Sequence, residues 1–382
     1  MSAPSQVHVV GGGVIGLACA WELSRNGHDV TVVAPAPGRD GAGWVAAGML
    51  APVTEAQFGE SALTTLLREG ARLWPAFVAA LEAAAGTSVG YDTNGTITVA
   101  VDASDRATLD DLLAYQRALG LAAERRSASE CRRLVPALSP ALRGGIEVRG
   151  DHAVDNRALL SALLGACRAG GVAFVEASVT ALEPGPALVL GDGRRIGADH
   201  VVLAAGTGLA SIGGIEELGL PPLRAVKGHI LRLGPPPGSV LGPPAGAGAP
   251  LPLLPRTVRA LVRGRSVYLV PRRDGSLVVG ATVEERGFDT TVQAGAVHEL
   301  LCDARAVVPG IDELELREAA AGLRPATPDN RPRIGRTSRD GVVVATGHYR
   351  NGIVLAPLTA HAVADLLAER PLAPVVRDLA LA

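Results

Sequence analysis

At 382 residues the chain is too long for one small domain and suits two that share a site. Hydrophobic residues make up 48% and charged residues 19%, enough for a large core, and the formal net charge is −2 with the basic residues scattered. That balance, with only 3% aromatic residues to stack on bases, excludes nucleic acid and anionic membranes as expected partners.

The chain opens on a strand over 7–10, a glycine turn, an apolar-faced helix and a second strand over 29–33. With 47 glycines, chance spacings are common, but Gly11, Gly13 and Gly16 follow a strand, open a helix and close a βαβ unit of ~30 residues. Each glycine has its own physical role. Gly11 makes the tight turn, Gly13 lets a pyrophosphate approach the backbone, and Gly16 lets the helix pack on the strand. Val14 and Ile15 then start a helix whose free N–H groups face the phosphates. The second strand ends in Ala34-Pro35, where an NAD enzyme carries Asp or Glu for the ribose. Residues 41–52 read as a loop of small residues, able to lie close to something flat and large.

A helix is expected over 62–85, with Leu63, Leu66, Leu67, Leu73, Phe77 and Leu81 on one side. A strand over 96–101, a helix over 105–119 and a short helix over 127–133 follow. Asp155 is placed to cap a helix over 156–169. Strands over 172–175 and 178–182 precede a turn at Gly193 and a buried strand over 200–206 ending in Ala204-Ala205-Gly206. Ligands of doubly wound sheets sit beyond the carboxyl ends of such strands, so the nucleotide domain is discontinuous and the chain returns to it near 150–210. Beyond lie a strand over 224–233, a Pro-, Gly- and Ala-rich loop over 234–255, and a hairpin of 266–271 and 276–282 through Asp274-Gly275. A helix over 292–307 follows. A strand over 341–346 then leads through Gly347-His348-Tyr349-Arg350-Asn351-Gly352 into a last helix over 353–367, a second helix dipole aimed at the ligand.

Apolar runs break well before the ~18 residues of a membrane span, and the first apolar segment reads as a strand rather than a signal peptide, so a cytoplasmic protein is expected. Cys19, Cys131, Cys167 and Cys302 form no CxxC and fit reduced thiols packed in helices; no metal site is expected. No Ser-His-Asp grouping and no paired-carboxylate motif is visible, and no second full GxGxxG follows a strand.

In order along the chain stand the fingerprint, Trp44-Val45-Ala46-Ala47-Gly48-Met49-Leu50, Val226-Lys227-Gly228, Tyr268-Leu269-Val270-Pro271-Arg272, Ala321-Gly322-Leu323-Arg324-Pro325 and Gly347-His348-Tyr349-Arg350-Asn351-Gly352-Ile353. Together they resemble the FAD-dependent D-amino-acid oxidase family, most of all its glycine-oxidase subgroup, from about Val7 to Leu367. The resemblance implies an α/β fold with a discontinuous Rossmann-like FAD-binding domain (1–60, 150–222 and 323–382) and a mixed-sheet α+β substrate domain (61–149 and 223–322). It implies noncovalent FAD. The pyrophosphate lies over Gly11 to Gly16, Ala46, Ala47, Gly48 and Met49 line the flavin, and Val179 approaches the adenine. Ala205 and Gly206 line the crevice, and His348, Arg350, Asn351, Gly352 and Ile353 face the ring.

The resemblance also implies that Arg324 binds a substrate carboxylate with help from Tyr268. Read alone, an arginine between Leu323 and Pro325 could instead form a surface ion pair. Arg350 is divided between flavin or substrate contact and a structural pair, and His348 reads as a hydrogen-bonding spacer rather than a base. Val283 stands where some relatives carry methionine facing the substrate. No acidic residue lies near Tyr268, Arg324 or Arg350 in sequence to receive a basic side chain.

The implied activity is oxidative deamination of glycine, sarcosine or another small amino acid to glyoxylate, ammonia and hydrogen peroxide, serving thiazole formation for thiamine. The implied partners are the amino acid and molecular oxygen, with a dimer or tetramer as the assembly. The alternatives are an oxidase or dehydrogenase of D- or N-methyl amino acids on the same fold, and a flavin-binding protein without turnover.

Overall fold

The computed structural model describes residues 5–237, 239 and 252–381, so most of the loop expected over 234–255 lies outside the described residues. A six-stranded sheet carries the nucleotide half. Its order is Arg333–Arg336, Val342–Thr346, His200–Leu203, Gln6–Val10, Asp29–Val33, Ala173–Val175, parallel except for the first of these. Helices cover one face of the sheet and the small antiparallel sheet of Val179–Glu183, Ala187–Leu190 and Arg195–Gly197 covers the other, so its strands are near-continuous valine runs rather than alternating ones. The strand order reverses at Gln6–Val10, where a crevice opens beyond the carboxyl ends of Gln6–Val10 and His200–Leu203. Asp155 caps the helix Asn156–Ala169 by accepting from the N–H groups of Arg157 and Ala158.

The glycine turn holds this sheet and its first helix, Val14–Arg25, at minimum distance. Gly11 takes a φ of +114°, which an L side chain rarely adopts, and a Cβ there would overlap the Ala204 carbonyl. A Cβ on Gly16 would overlap the Gly11 carbonyl oxygen.

An eight-stranded mixed sheet carries the substrate half, in the order Glu315–Ala326, Arg224–Gly234, Leu277–Gly280, Arg265–Pro271, Thr257–Val262, Thr96–Ala100, Gly145–Val148, Glu124–Arg126. The helix Ala294–Val307 packs on one face through Leu300, Ala304 and Val307.

Two of the expected domain boundaries move. The helix Ser61–Ala85, assigned to the substrate domain, belongs to the nucleotide core: Leu63, Leu66, Trp74, Phe77 and Leu81 are buried with residues of Val14–Arg25 and of the last helix, Gly352–Leu367. Few as the aromatic residues are, three gather here, with Phe77 edge-on to Trp21 and Trp74 at centroid distances of 5.4 and 5.5 Å. The Trp74 Nε1–H donates to the Val354 carbonyl at 3.0 Å. Second, the boundary at 323 cuts Glu315–Ala326 in two, although that strand pairs with Arg224–Gly234 along its length; the changeover follows Ala326. Pro325 fits there because the strand lies at the sheet edge.

Three cysteines are buried in helices as expected, but Cys302 is exposed. No described helix is long and apolar enough to cross a membrane.

Replacing Gly16 with Ala must push the first helix off the turn. We expect a loss of ~1–3 kcal/mol in the stability of the flavin-free protein, read from urea denaturation. An unchanged midpoint would mean that the close approach is dispensable.

Candidate active site

A cavity of 610 Å³ runs from the crevice at the glycine turn to one face of the eight-stranded sheet. It is within the size range of small-molecule and cofactor sites. Every candidate site residue from the sequence lines it except Gly16, which acts from behind by packing under Gly11.

At the nucleotide end the wall is backbone. Gly13 lines the cavity, and a Cβ on it would meet no protein atom within 4 Å, so the space beside it is open to a ligand. Val179, Ala205 and Gly206 line the same end. Ala34 and Pro35 line it without a carboxylate; Asp40 lines the cavity too, and burial pushes its carboxyl up. The loop read as 41–52 is a short helix, Gly41–Val45, followed by Ala46, Ala47, Gly48 and Met49 on the cavity wall. Asn156 and Arg272 fasten it. Asn156 Nδ2 donates to the Gly43 and Trp44 carbonyls at 2.8 and 2.9 Å, and Arg272 Nη2 donates to the Ala47 carbonyl at 2.7 Å and to Asn156 Oδ1 at 3.1 Å. Burial brings the Arg272 guanidinium down to about 10.

Helix Gly352–Leu367 begins on the wall, with Gly352 and Ile353 lining it. Asn351, only 2% exposed, also lines the cavity, and its Nδ2 finds no protein acceptor. Burial drives His348 down to about 3, so its ring is neutral, hydrogen-bonded through Nε2 to Thr359 Oγ1 at 3.0 Å. A side-chain-free turn, a helix N-terminus, an unspent amide donor and a wall of small residues together fit a flavin dinucleotide.

The substrate end rests on glycines. Arg259, Tyr268, Gly280 and Ile230 are directly opposite one another on successive strands and share one face. By period two, Gly228, Gly322 and Arg324 lie on that face as well. A Cβ on Gly228 would overlap the Arg324 guanidinium, and one on Gly280 would meet the Tyr268 hydroxyl. Both long side chains therefore lie flat across a glycine in the neighbouring strand.

Two charges here lie outside the sequence motifs, Glu55 and Arg259. Glu55 lines the cavity and pairs with Arg259 and, at 2.7 Å, with Arg350, which also reaches Glu60 at 3.2 Å. Burial alone would push the Glu55 carboxyl up, but the two guanidinium groups outweigh it and hold the carboxyl below its ordinary value. The Glu55 turn is anchored by buried Asp151, which accepts from the N–H groups of Val53 and Thr54 and from the Thr54 hydroxyl. So an acid does stand beside Arg350, brought from a remote segment, but its charge is already spent.

Arg324 differs from its neighbours. Its Nη1 donates to the carbonyls of Lys227 and Thr282, both at 3.2 Å, and among the described residues it has no carboxylate partner. Val283 lines the cavity and is 67% exposed, on its open side.

A bulky residue at Gly13 should leave the flavin-free protein folded as before and abolish flavin binding, measured by quenching of free-flavin fluorescence on titration with protein. Gly228→Ala should displace the Arg324 guanidinium and raise the KM for a small amino acid about tenfold or more with flavin content unchanged. An unaltered KM would show that the guanidinium need not lie across Gly228.

The family model described as FAD dependent oxidoreductase (DAO) matches residues 6–366. The chain is 33% identical to the glycine oxidase of Geobacillus kaustophilus over 94% of this chain and 92% of that one. The crystal structure of that enzyme superposes with a TM-score of 0.88 at 31% identity, covering 100% of this chain and 99% of the other. It is 32% identical to the putative thiamine biosynthesis oxidoreductase ThiO of Rhizobium etli, covering 95% of this chain and 96% of that one. It is also 32% identical, over 96% of its length, to the bifunctional protein ThiO/ThiG of Nostoc sp., of which it spans about half, 53%. The chain belongs to the family of FAD-dependent oxidoreductases that this model describes.

Proposed function

We propose that this chain oxidises glycine, with water and molecular oxygen, to glyoxylate, ammonia and hydrogen peroxide, or a similarly small amino acid to its own oxo acid, amine and hydrogen peroxide. The observation that carries the reading is Arg324: a guanidinium on the cavity wall, held by two carbonyl oxygens, with no carboxylate of its own among the described residues. Such a group is arranged to take a carboxylate from a ligand in a planar, two-bond pair.

FAD held by these walls would supply a two-electron acceptor that molecular oxygen can reoxidise. The chain's residues supply orientation. Arg324 fixes the carboxylate, and the Tyr268 hydroxyl is the second donor; burial raises its pKa, so it stays protonated and donating at neutral pH. Neither His348, neutral and bonded to Thr359, nor Glu55, engaged by two arginines, is free to act as a strong base. A substrate whose amine is bound neutral needs none, and positioning carries the rate. The Rhizobium etli relative is named for thiamine biosynthesis, and we place this reaction there too.

Val283 favours a second reading. Its exposure on the open side leaves room for N-methyl or slightly larger D-amino acids.

One peroxide assay with glycine, sarcosine, D-alanine and D-phenylalanine separates the readings. The expected order puts glycine and sarcosine first; a protein faster on D-phenylalanine than on glycine would be a D-amino-acid oxidase, and flavin-loaded protein inert to all four would not be an oxidase of small amino acids. In the same assay Arg324→Ala should weaken kcat/KM by ~2–5 kcal/mol while flavin stays bound, and Arg324→Lys should recover only part.

A further inference from the structure

Lys227 sits beside the site without entering it. By strand alternation its side chain leaves the sheet on the face opposite Arg324 and Tyr268. It is 0% exposed, and its Nζ donates to Asp289 Oδ2 at 2.7 Å, the Thr291 carbonyl at 2.6 Å and Gln293 Oε1 at 2.9 Å. An ammonium has three N–H groups, and burying one is tolerable only when all are satisfied. All three acceptors lie on one short segment, 282–293, most of which is exposed. Its other ties to the sheet are a pair of backbone bonds between Lys227 and Glu284, at 2.8 and 3.0 Å, the contacts of His229 with Thr282, Glu284 and the Gln293 N–H, and an ion pair between Arg224 and Glu285 whose members are largely exposed.

The same segment carries two parts of the site. The Thr282 carbonyl is one of the two oxygens that hold the Arg324 guanidinium, and Val283 lines the cavity. The other oxygen is the carbonyl of Lys227 itself. We propose that Lys227 and Asp289 form a clip that positions the 282–293 strap, and through its Thr282 carbonyl sets the angle at which Arg324 meets a carboxylate. Lys227 is thus a positioning residue. This rests on the reading of Arg324 as the carboxylate site.

The test uses the FAD-loaded protein and acetate, a carboxylate that cannot be oxidised there, titrated while the visible flavin absorbance is followed. Lys227→Met and, at the solvent end of the clip, Asp289→Ala should each raise the Kd for acetate about tenfold, the scale on which a displaced positioning group acts. Flavin content should be unchanged, and the KM for glycine should rise more than kcat falls. A variant that melts earlier yet binds acetate like the parent would show that the clip only stabilises the fold, and would overturn the proposal. If Lys227→Met does not fold, Asp289→Ala decides alone. Arg324→Ala is the reference: if it too binds acetate like the parent, the carboxylate reading of Arg324 is wrong; if it loses acetate while both clip variants keep it, only the clip is wrong.

Discussion

One imbalance of charge organises the cavity. Three guanidinium groups reach its substrate end, those of Arg259, Arg324 and Arg350, yet two carboxylates, Glu55 and Glu60, neutralise only the first and last. Carbonyl dipoles fix Arg324 in direction without cancelling it. In a partly buried site an unpaired cation carries a field that a surface arginine loses to water. The Glu55 bridge is therefore as much part of the site as Arg324: without it three like charges would crowd one wall, and a ligand anion could settle between any two of them.

The two ends of the cavity are joined by polar contacts rather than by chain continuity. Arg272, on the substrate sheet's hairpin, reaches across to the Ala47 carbonyl and to Asn156, which fixes the short helix Gly41–Val45 at Gly43 and Trp44. The small-residue wall on the nucleotide side and the glycine-floored face on the substrate side are thus set at one spacing. A ligand spanning both is gripped by walls already in register, with little ordering left to do on binding.

Much of this is legible in the sequence because backbone rules leave marks on it. A turn that needs φ above zero, open space and a close helix shows as Gly11, Gly13 and Gly16, and a capped helix shows as Asp155. The small-residue walls are legible for the same reason. Glu55 and Arg259 are not: they are 204 positions apart, neither lies in a periodic or glycine-marked pattern, and what makes them a pair is only the fold. The spacing of Ser61–Ala85 marks it as amphipathic but leaves it in the wrong half, since periodicity reports that a face is buried and not against what. A boundary at 323 splits the edge strand Glu315–Ala326, because no local signal in the sequence shows that this segment pairs with Arg224–Gly234 along its length.

The placement of Ser61–Ala85 bears on how the chain is made. The substrate half consists of two excursions from the nucleotide half, and they are stitched to each other by the parallel pair Thr257–Val262 and Thr96–Ala100. On the ribosome the first excursion emerges with no partner for its Thr96–Ala100 edge until the second follows. The apolar side of Ser61–Ala85 waits longer: Trp74 is synthesised 280 residues before the Val354 carbonyl it will bind. Neither half can close while the nascent chain is short, and the last helix to appear completes the core that the first ones began.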